Sequence, residues 1–68
     1  MEVLLISNDP IRLGFLLLFL RGEGFEPVVF DAHMAVLEGS AGAIQRRLAV
    51  PLDQAASARR ALAAAGEL

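Results

Sequence analysis

The first thirty residues contain two short apolar runs on either side of one helical segment. The run Glu2–Ser7 (EVLLIS) has four consecutive large aliphatic residues before turn-forming residues, which is typical of a buried strand. Asp9 and Pro10 follow as a helix start, because the carboxylate can cap free amides and proline suits the first helical position. We therefore predict a strand over Glu2–Ser7 and a helix that begins at Pro10 and ends at Arg21 or Gly22.

The second half of the chain repeats these patterns in another order. FEPVVF (Phe25–Phe30) predicts a strand at a sheet edge, because Pro27 has no N–H to donate to a ladder. IQRRLAV (Ile44–Val50) alternates in polarity and predicts a third strand. LDQAASARRALAAAG (52–66) predicts an alanine-rich helix closed by Gly66. The small inward face of this last helix is predicted to consist of Ala55, Ala58, Leu62 and Ala65.

The resulting order β-α-β-β-α predicts one α+β domain over residues 1–68. The connection through the first helix leaves room between the first two strands, and the third strand is expected to fill it antiparallel. The fold expected is a truncated ferredoxin-like sandwich with sheet order 1-3-2 and both helices on one face. Its first strand would be an unpaired edge, and the sheet face opposite the helices would be uncovered.

The composition limits the classes of function. A chain of 68 residues with no cysteine depends on apolar burial, and its 56% hydrophobic content exceeds what so small an interior can hide. We therefore expect a homo-oligomer. The net charge of −2, with no lysine, argues against nucleic-acid binding. No apolar run reaches the roughly 18 residues that span a bilayer. We expect a cytoplasmic protein without membrane association and without a cofactor.

The predicted first helix has two apolar stripes rather than one. At 3.6 residues per turn, one stripe consists of Leu13, Leu16, Leu17 and Leu20. The other consists of Ile11, Phe15, Leu18 and Phe19. A helix resting on a sheet needs a single stripe, so the second is covered by the rest of the chain, by another copy or by a membrane surface. The polar face lacks the cationic character that membrane-surface helices use, which argues against the last of these. We identify the second stripe as the candidate oligomer contact.

The segment between the second and third strands contains the only histidine of the chain. Asp31, His33 and Glu38 can together bind a divalent metal through imidazole and carboxylates, although their spacing matches no fingerprint. A solvated surface histidine is the alternative explanation. Asp31 and Glu38 also form a possible acid–base pair, but a monomer of this size has no deep pocket to shift their pKa values. We do not expect an enzyme; catalysis would require a site shared between subunits.

The glycines of the same segment indicate a turn or an anion site. The amides of Gly39 to Gly42 (GSAG) can cradle a phosphate, with Arg46 or Arg47 adding charge. GSAG also matches the GXXG loop of KH domains, which however joins two helices. Candidate contacts to a partner or a small ligand are His33, Glu38, Gly39, Ser40, Gly42, Arg46 and Arg47.

The whole pattern resembles a known family. LLISNDP, FDAHMAVLEGSAGAIQRRLAVP and the final Ala/Arg helix are similar to small bacterial proteins described as "putative prokaryotic signal transducing protein", a domain of unknown function. The resemblance covers nearly all 68 residues. It implies a ferredoxin-like fold related in architecture to the PII regulatory proteins, whose long loop between the second and third strands contacts partners and ligands. Residues 31–43 occupy the same position in the topology.

These observations predict a small non-catalytic regulatory or protein-interaction module. It is expected to act through the connection between the second and third strands, toward a protein partner that the sequence does not identify. The alternative is a small-ligand or divalent-metal sensor that uses Asp31, His33 and Glu38 or the GSAG turn.

Overall fold

The computed structural model of the protein describes residues 1–31 and 45–68. Its elements are β1 (Glu2–Ser7), α1 (Pro10–Gly22), β2 (Val28–Asp31), β3 (Arg46–Val50), a 3₁₀ turn (Leu52–Gln54) and α2 (Ala55–Ala64). Each of the three predicted strands and both predicted helices is present.

The start of α1 is determined by local hydrogen bonding. The Asp9 carboxylate accepts the N–H groups of Ile11 and Arg12 at 3.0 and 3.2 Å, and Pro10 occupies the first helical position. These two hydrogen bonds satisfy amides that have no partner within the helix. The predicted start and end of α1 are therefore confirmed.

Both helices end in the same left-handed motif. Gly24 has φ 91°, and the N–H of the next residue, Phe25, reaches back to the Leu20 carbonyl at 3.0 Å. At the end of α2, Gly66 has φ 78°, and Glu67 donates to the Leu62 carbonyl at 2.9 Å. These are Schellman motifs, in which glycine takes a conformation that costs other residues energy.

The sheet has the predicted order 1-3-2, with β3 in the middle and antiparallel to both neighbours. A bulge between Val3 and Leu5 shifts the register of β1. Leu5 and Val29 lie opposite Leu48 on the face that the helices cover. β2 is an edge strand, as Pro27 predicted.

The core lies between this face of the sheet and the two helices. It joins side chains from α1, α2, β1 and β3, so both helices pack on one face, as expected for a small ferredoxin-like fold. Its members are Leu4, Leu13, Leu16, Leu20, Leu48, Val50, Ala55, Ala58 and Leu62. Complete burial of leucines such as Leu16 and Leu62 stabilises the fold by about 1.5–3 kcal/mol per side chain.

The alanines of α2 and the end of the chain bring the helices together. Ala55, Ala58 and Leu62 are buried, as predicted, and small side chains let the helix lie close to the sheet. Arg12 in the first turn of α1 donates to the Glu67 carbonyl at 2.9 Å and its Nε lies 3.6 Å from the Glu67 carboxylate. The end of α2 therefore lies beside the start of α1.

The starts of β2 and β3 differ from the prediction. β2 begins at Val28 rather than Phe25, because the N–H of Phe25 closes α1 and that of Glu26 donates to the Gln54 side chain at 2.9 Å. β3 begins at Arg46; Ile44, where the predicted strand began, lies outside the described residues.

The last helix differs from the prediction at its start and in the exposure of one residue near its end. Its first three residues form a 3₁₀ turn, and α2 proper begins at Ala55. Ala65 was predicted to face inward, but it is exposed because α2 ends at Ala64 and the chain turns away at Gly66.

Candidate interaction surface

One side of α1 is apolar and exposed to solvent. Ile11, Phe15 and Leu18, called here the outer stripe, are 84%, 55% and 69% exposed. They follow the i, i+4, i+7 spacing that places residues along one side of a helix. In the described part of the chain, neither α2 nor the sheet covers them. Three of the four residues of the second predicted stripe therefore face solvent.

Phe19, the fourth residue of that predicted stripe, is placed differently. It is half-buried and packs against the core, while its ring stacks on that of Phe15 with centroids 6.4 Å apart and planes 18° from parallel. Phe19 lies at the boundary between the two sides of α1. Its stacking holds the exposed Phe15 ring in position, which favours a preorganised contact surface.

A pocket of about 250 Å³ lies next to the outer stripe, between α1 and the sheet. It is lined by Pro10, Leu13, Gly14, Leu17, Val29 and Arg46. Leu13 is buried and Leu17 half-buried, so the walls are mainly apolar and continuous with the core. Gly14 belongs both to this pocket and to the exposed surface of α1. It joins the pocket to the outer stripe without a side chain between them.

The sheet face opposite the helices is a second exposed apolar surface. Register places Val3, Ala49 and Val28 in one row and Ile6, Arg47 and Phe30 in the next. Val3, Ile6, Val28 and Phe30 are exposed, whereas the small Ala49 is buried between its larger neighbours. Arg47 is exposed among them. This open face therefore differs from the outer stripe by having a cation at its centre.

The edge of the sheet formed by β1 is less accessible than the sequence suggested. The bulge between Val3 and Leu5 disturbs its regular hydrogen-bonding row. Arg59 of α2 pairs with the Glu2 carboxylate and donates to the Val3 carbonyl at 3.1 Å. Bulges and charged side chains are features that protect edges against pairing with other chains. Strand addition at β1 is thus disfavoured as a route of self-association.

The sequence-predicted site residues fall into two groups. His33, Glu38, Gly39, Ser40 and Gly42 lie outside the described residues, and with them the predicted metal and anion sites. Asp31 is the last residue of β2, but its side chain also lies outside the description. Within residues 1–31 and 45–68, no three His, Asp or Glu side chains come together in a way that could hold a metal ion.

The two arginines of the predicted site lie on opposite faces of the sheet. Arg46 shares the helix-covered face with Leu48, is half-buried and lines the pocket. Arg47 is exposed on the open face beside Ile6 and Phe30. The two side chains therefore leave the sheet on opposite faces.

Sequence reasoning did not find the pocket. The pocket requires Val29 and Arg46 to lie beside the first half of α1. These residues are far apart in the sequence, and no local sequence pattern indicates a contact between them. One signal was available, however. Gly14 interrupts a sequence that otherwise favours a helix. Glycine within a helix is unfavourable by about 1 kcal/mol relative to alanine, which indicates a role for the missing side chain at this position.

The fold and these surfaces define a small α+β domain of the ferredoxin-like type with an exposed apolar helix face. In the described ranges no helix is long and apolar enough to cross a membrane. A family model described as "putative prokaryotic signal transducing protein" matches residues 1–66, and the chain belongs to that family. Searches of curated proteins and of solved structures returned no match. The family description indicates a signal-transducing module and identifies no partner.

Proposed function

We propose that this protein is a small, non-catalytic, cytoplasmic interaction module in signal transduction that associates with itself through an exposed apolar surface. The observation that carries the proposal is the outer stripe, where Ile11, Phe15 and Leu18 face solvent on a helix whose other side completes the core. The family description supports the signalling role. The absence of cysteine from the chain is compatible with the reducing cytoplasm.

The outer stripe is the strongest candidate contact because three large side chains are adjacent and unbroken by charge. Isolated exposed leucines are normal in proteins, whereas contiguous apolar patches usually mark sites of interaction. Arg12, the cation in the first turn of this helix, is already paired with Glu67. The open face of the sheet, with Arg47 at its centre, is less suited to contact a copy of itself, since a two-fold contact would bring like charges together.

A non-catalytic role is supported by the environment of the polar groups. In residues 1–30 and 45–68, no polar or charged side chain is buried. Catalytic acids and bases depend on burial and on close charged neighbours to adjust their pKa values. The pocket beside α1 is lined mainly by apolar groups, which suits a side chain of another protein better than a reacting substrate.

We further propose that the connection between β2 and β3 contacts the signalling partner. The proposed contacts are His33, Glu38, Gly39, Ser40, Gly42 and the exposed Arg47. The support is the position of this connection in the topology, which matches that of the regulatory loop in the PII proteins. Replacing His33 and Glu38 by alanine is expected to abolish capture of the native partner without changing the circular dichroism spectrum. Unfolding of this variant would instead indicate a structural role.

Sedimentation equilibrium across protein concentrations tests self-association. The wild-type chain is expected to exceed the monomer mass of 7.2 kDa, and Phe15→Ser with Leu18→Ser is expected to restore that mass. Leu52→Ser is the matched control, because Leu52 is 70% exposed, like Leu18, but lies on the 3₁₀ turn. A wild-type protein that stays monomeric at millimolar concentration would contradict the proposal.

A further inference from the structure

We infer that the self-associated form is a two-fold dimer in which Phe15 of each copy inserts into the pocket beside α1 of the other copy. The inference rests on the proposed self-association and specifies its geometry. The surface of α1 has both complementary parts side by side, an exposed aromatic ring and a cavity next to it. A two-fold contact pairs one surface patch with its own copy, so a patch with a knob and a hole can satisfy both copies at once.

The size of the pocket fits this occupant. Its volume is about 250 Å³, and a cavity of about 150 Å³ lined by apolar side chains already accepts benzene. A phenyl ring therefore fits with room for its methylene group. Leu13, Leu17 and Val29 provide the apolar walls that such a ring requires. Stacking on Phe19 holds the Phe15 ring outside its own core, available to the other copy.

The area required for a stable dimer also points to the pocket. The exposed parts of the outer stripe amount to roughly 400 Å² per copy if a large side chain offers about 200 Å². Two such stripes meeting alone bury roughly 800 Å², below the roughly 1,000 Å² expected of a biological interface. A stable dimer must therefore bury more of the surface of α1 than the stripe alone, and the pocket is an apolar surface that adjoins the stripe. A contact confined to the stripe would be too small.

Gly14 explains how the two copies approach each other. It is exposed inside α1, and a Cβ built on it would meet nothing within 4 Å among residues 1–31 and 45–68. Packing against these residues therefore gives no reason for a glycine here. In the proposed dimer the two α1 helices cross at Gly14, where the lack of a side chain lets backbones come close and leaves the pocket entrance open.

The experiment compares sedimentation equilibrium of wild type, Gly14→Glu, Phe15→Ala and Phe30→Ala. Gly14→Glu places two like charges at the crossing point, and we expect at least a tenfold rise in the dimer dissociation constant. Ala56→Glu, with the same added charge on an exposed position of α2, is expected to leave that constant unchanged. Circular dichroism confirms that each variant is folded.

Phe15 and Phe30 form a matched pair on different surfaces, since they are 55% and 46% exposed. Phe15→Ala is expected to weaken the dimer at least tenfold and Phe30→Ala to leave it intact. If Phe30→Ala dissociates the dimer and Gly14→Glu does not, the open sheet face is the contact; self-association then stands but this geometry is wrong. A wild-type chain that is monomeric throughout overturns both.

Disulfide trapping gives a second measurement, because the chain contains no cysteine. Gly14→Cys is expected to form an intermolecular disulfide under mild oxidation, since helices crossing there bring the two Cα atoms within about 7 Å. Ala56→Cys is expected to stay reduced under the same conditions. Equal crosslinking of the two variants, or crosslinking of Ala56→Cys alone, would overturn the proposed crossing point.

Discussion

At the scale of single residues, three of the described glycines have two different roles. Gly24 and Gly66 have positive φ and close the two helices. Gly14 lies inside α1 with space around it among the described residues, so neither its backbone conformation nor a contact with them requires a glycine. A stability measurement separates these roles, because alanine is compatible with one conformation and strained in the other.

We predict that Gly14→Ala stabilises the monomer by about 0.5–1 kcal/mol, the difference in helix propensity between the two residues. Gly24→Ala is predicted to destabilise it by about 1 kcal/mol, because alanine is strained at φ 91°. Urea unfolding at a concentration where sedimentation finds only monomers measures both. Changes of the same sign in the two variants would show that the assigned roles are wrong.

At the scale of elements, the two helices cover the sheet in different ways. α1 contributes large leucines, whereas α2 lies against the sheet through alanines and one leucine. The close approach of α2 leaves no room for a larger residue at Ala58, which is fully buried. The same approach brings Arg59 to the edge strand β1.

Ala58→Leu is accordingly predicted to destabilise the fold by about 1–3 kcal/mol, the usual cost of overpacking a dense core. Ala63→Leu, on the exposed side of the same helix, is predicted to change stability by less than about 0.5 kcal/mol. Thermal unfolding of the two variants measures the difference. A tolerated leucine at position 58 would mean that α2 lies farther from the sheet than described.

Arg59 is predicted to matter more for aggregation than for stability. Its ion pair with Glu2 is partly exposed, so its loss is expected to cost less than about 1 kcal/mol. Arg59→Ala also removes the donor to the Val3 carbonyl and uncovers the edge of β1. Thioflavin T fluorescence during incubation is therefore expected to rise faster than in Arg60→Ala. Arg60 donates a hydrogen bond to Ser57 of its own helix and is the matched control; equal rates would contradict the protective role.

At the scale of the whole molecule, the stability of the protein depends on how much apolar surface its small core can hide. Among the described residues, nine form the core cluster, while three large apolar side chains of α1 and four of the open sheet face are exposed. Small domains without disulfides or metals have a small free energy of unfolding, and self-association commonly increases it. The stability of this chain is therefore expected to depend on its own concentration.

The midpoint of thermal unfolding is predicted to rise with protein concentration, because association stabilises the folded state by mass action. Phe15→Ser is predicted to remove this dependence and to leave a midpoint equal to that of the dilute wild type. Differential scanning calorimetry over a hundredfold range of concentration measures both. A wild-type midpoint that does not depend on concentration would contradict self-association of the folded chain.

The sequence by itself determined the features that depend on a few neighbouring residues. The helix start at Asp9 and Pro10, the left-handed ends at Gly24 and Gly66, and the edge position of β2 all follow from bonds or constraints within one turn of the chain. The two sides of α1 were also predictable, since the helical period alone places residues on them. These local features, with the short connections, were enough to predict the order 1-3-2.

Only the tertiary structure decided where distant segments meet. It shortened β2 through the Glu26–Gln54 hydrogen bond, turned Phe19 toward the core and placed Arg46 in a pocket with Gly14. It also set Arg59 against the edge of β1. Such contacts depend on how closely α1 and α2 approach the sheet, which results from the packing of all core side chains together and has no counterpart in any short stretch of sequence.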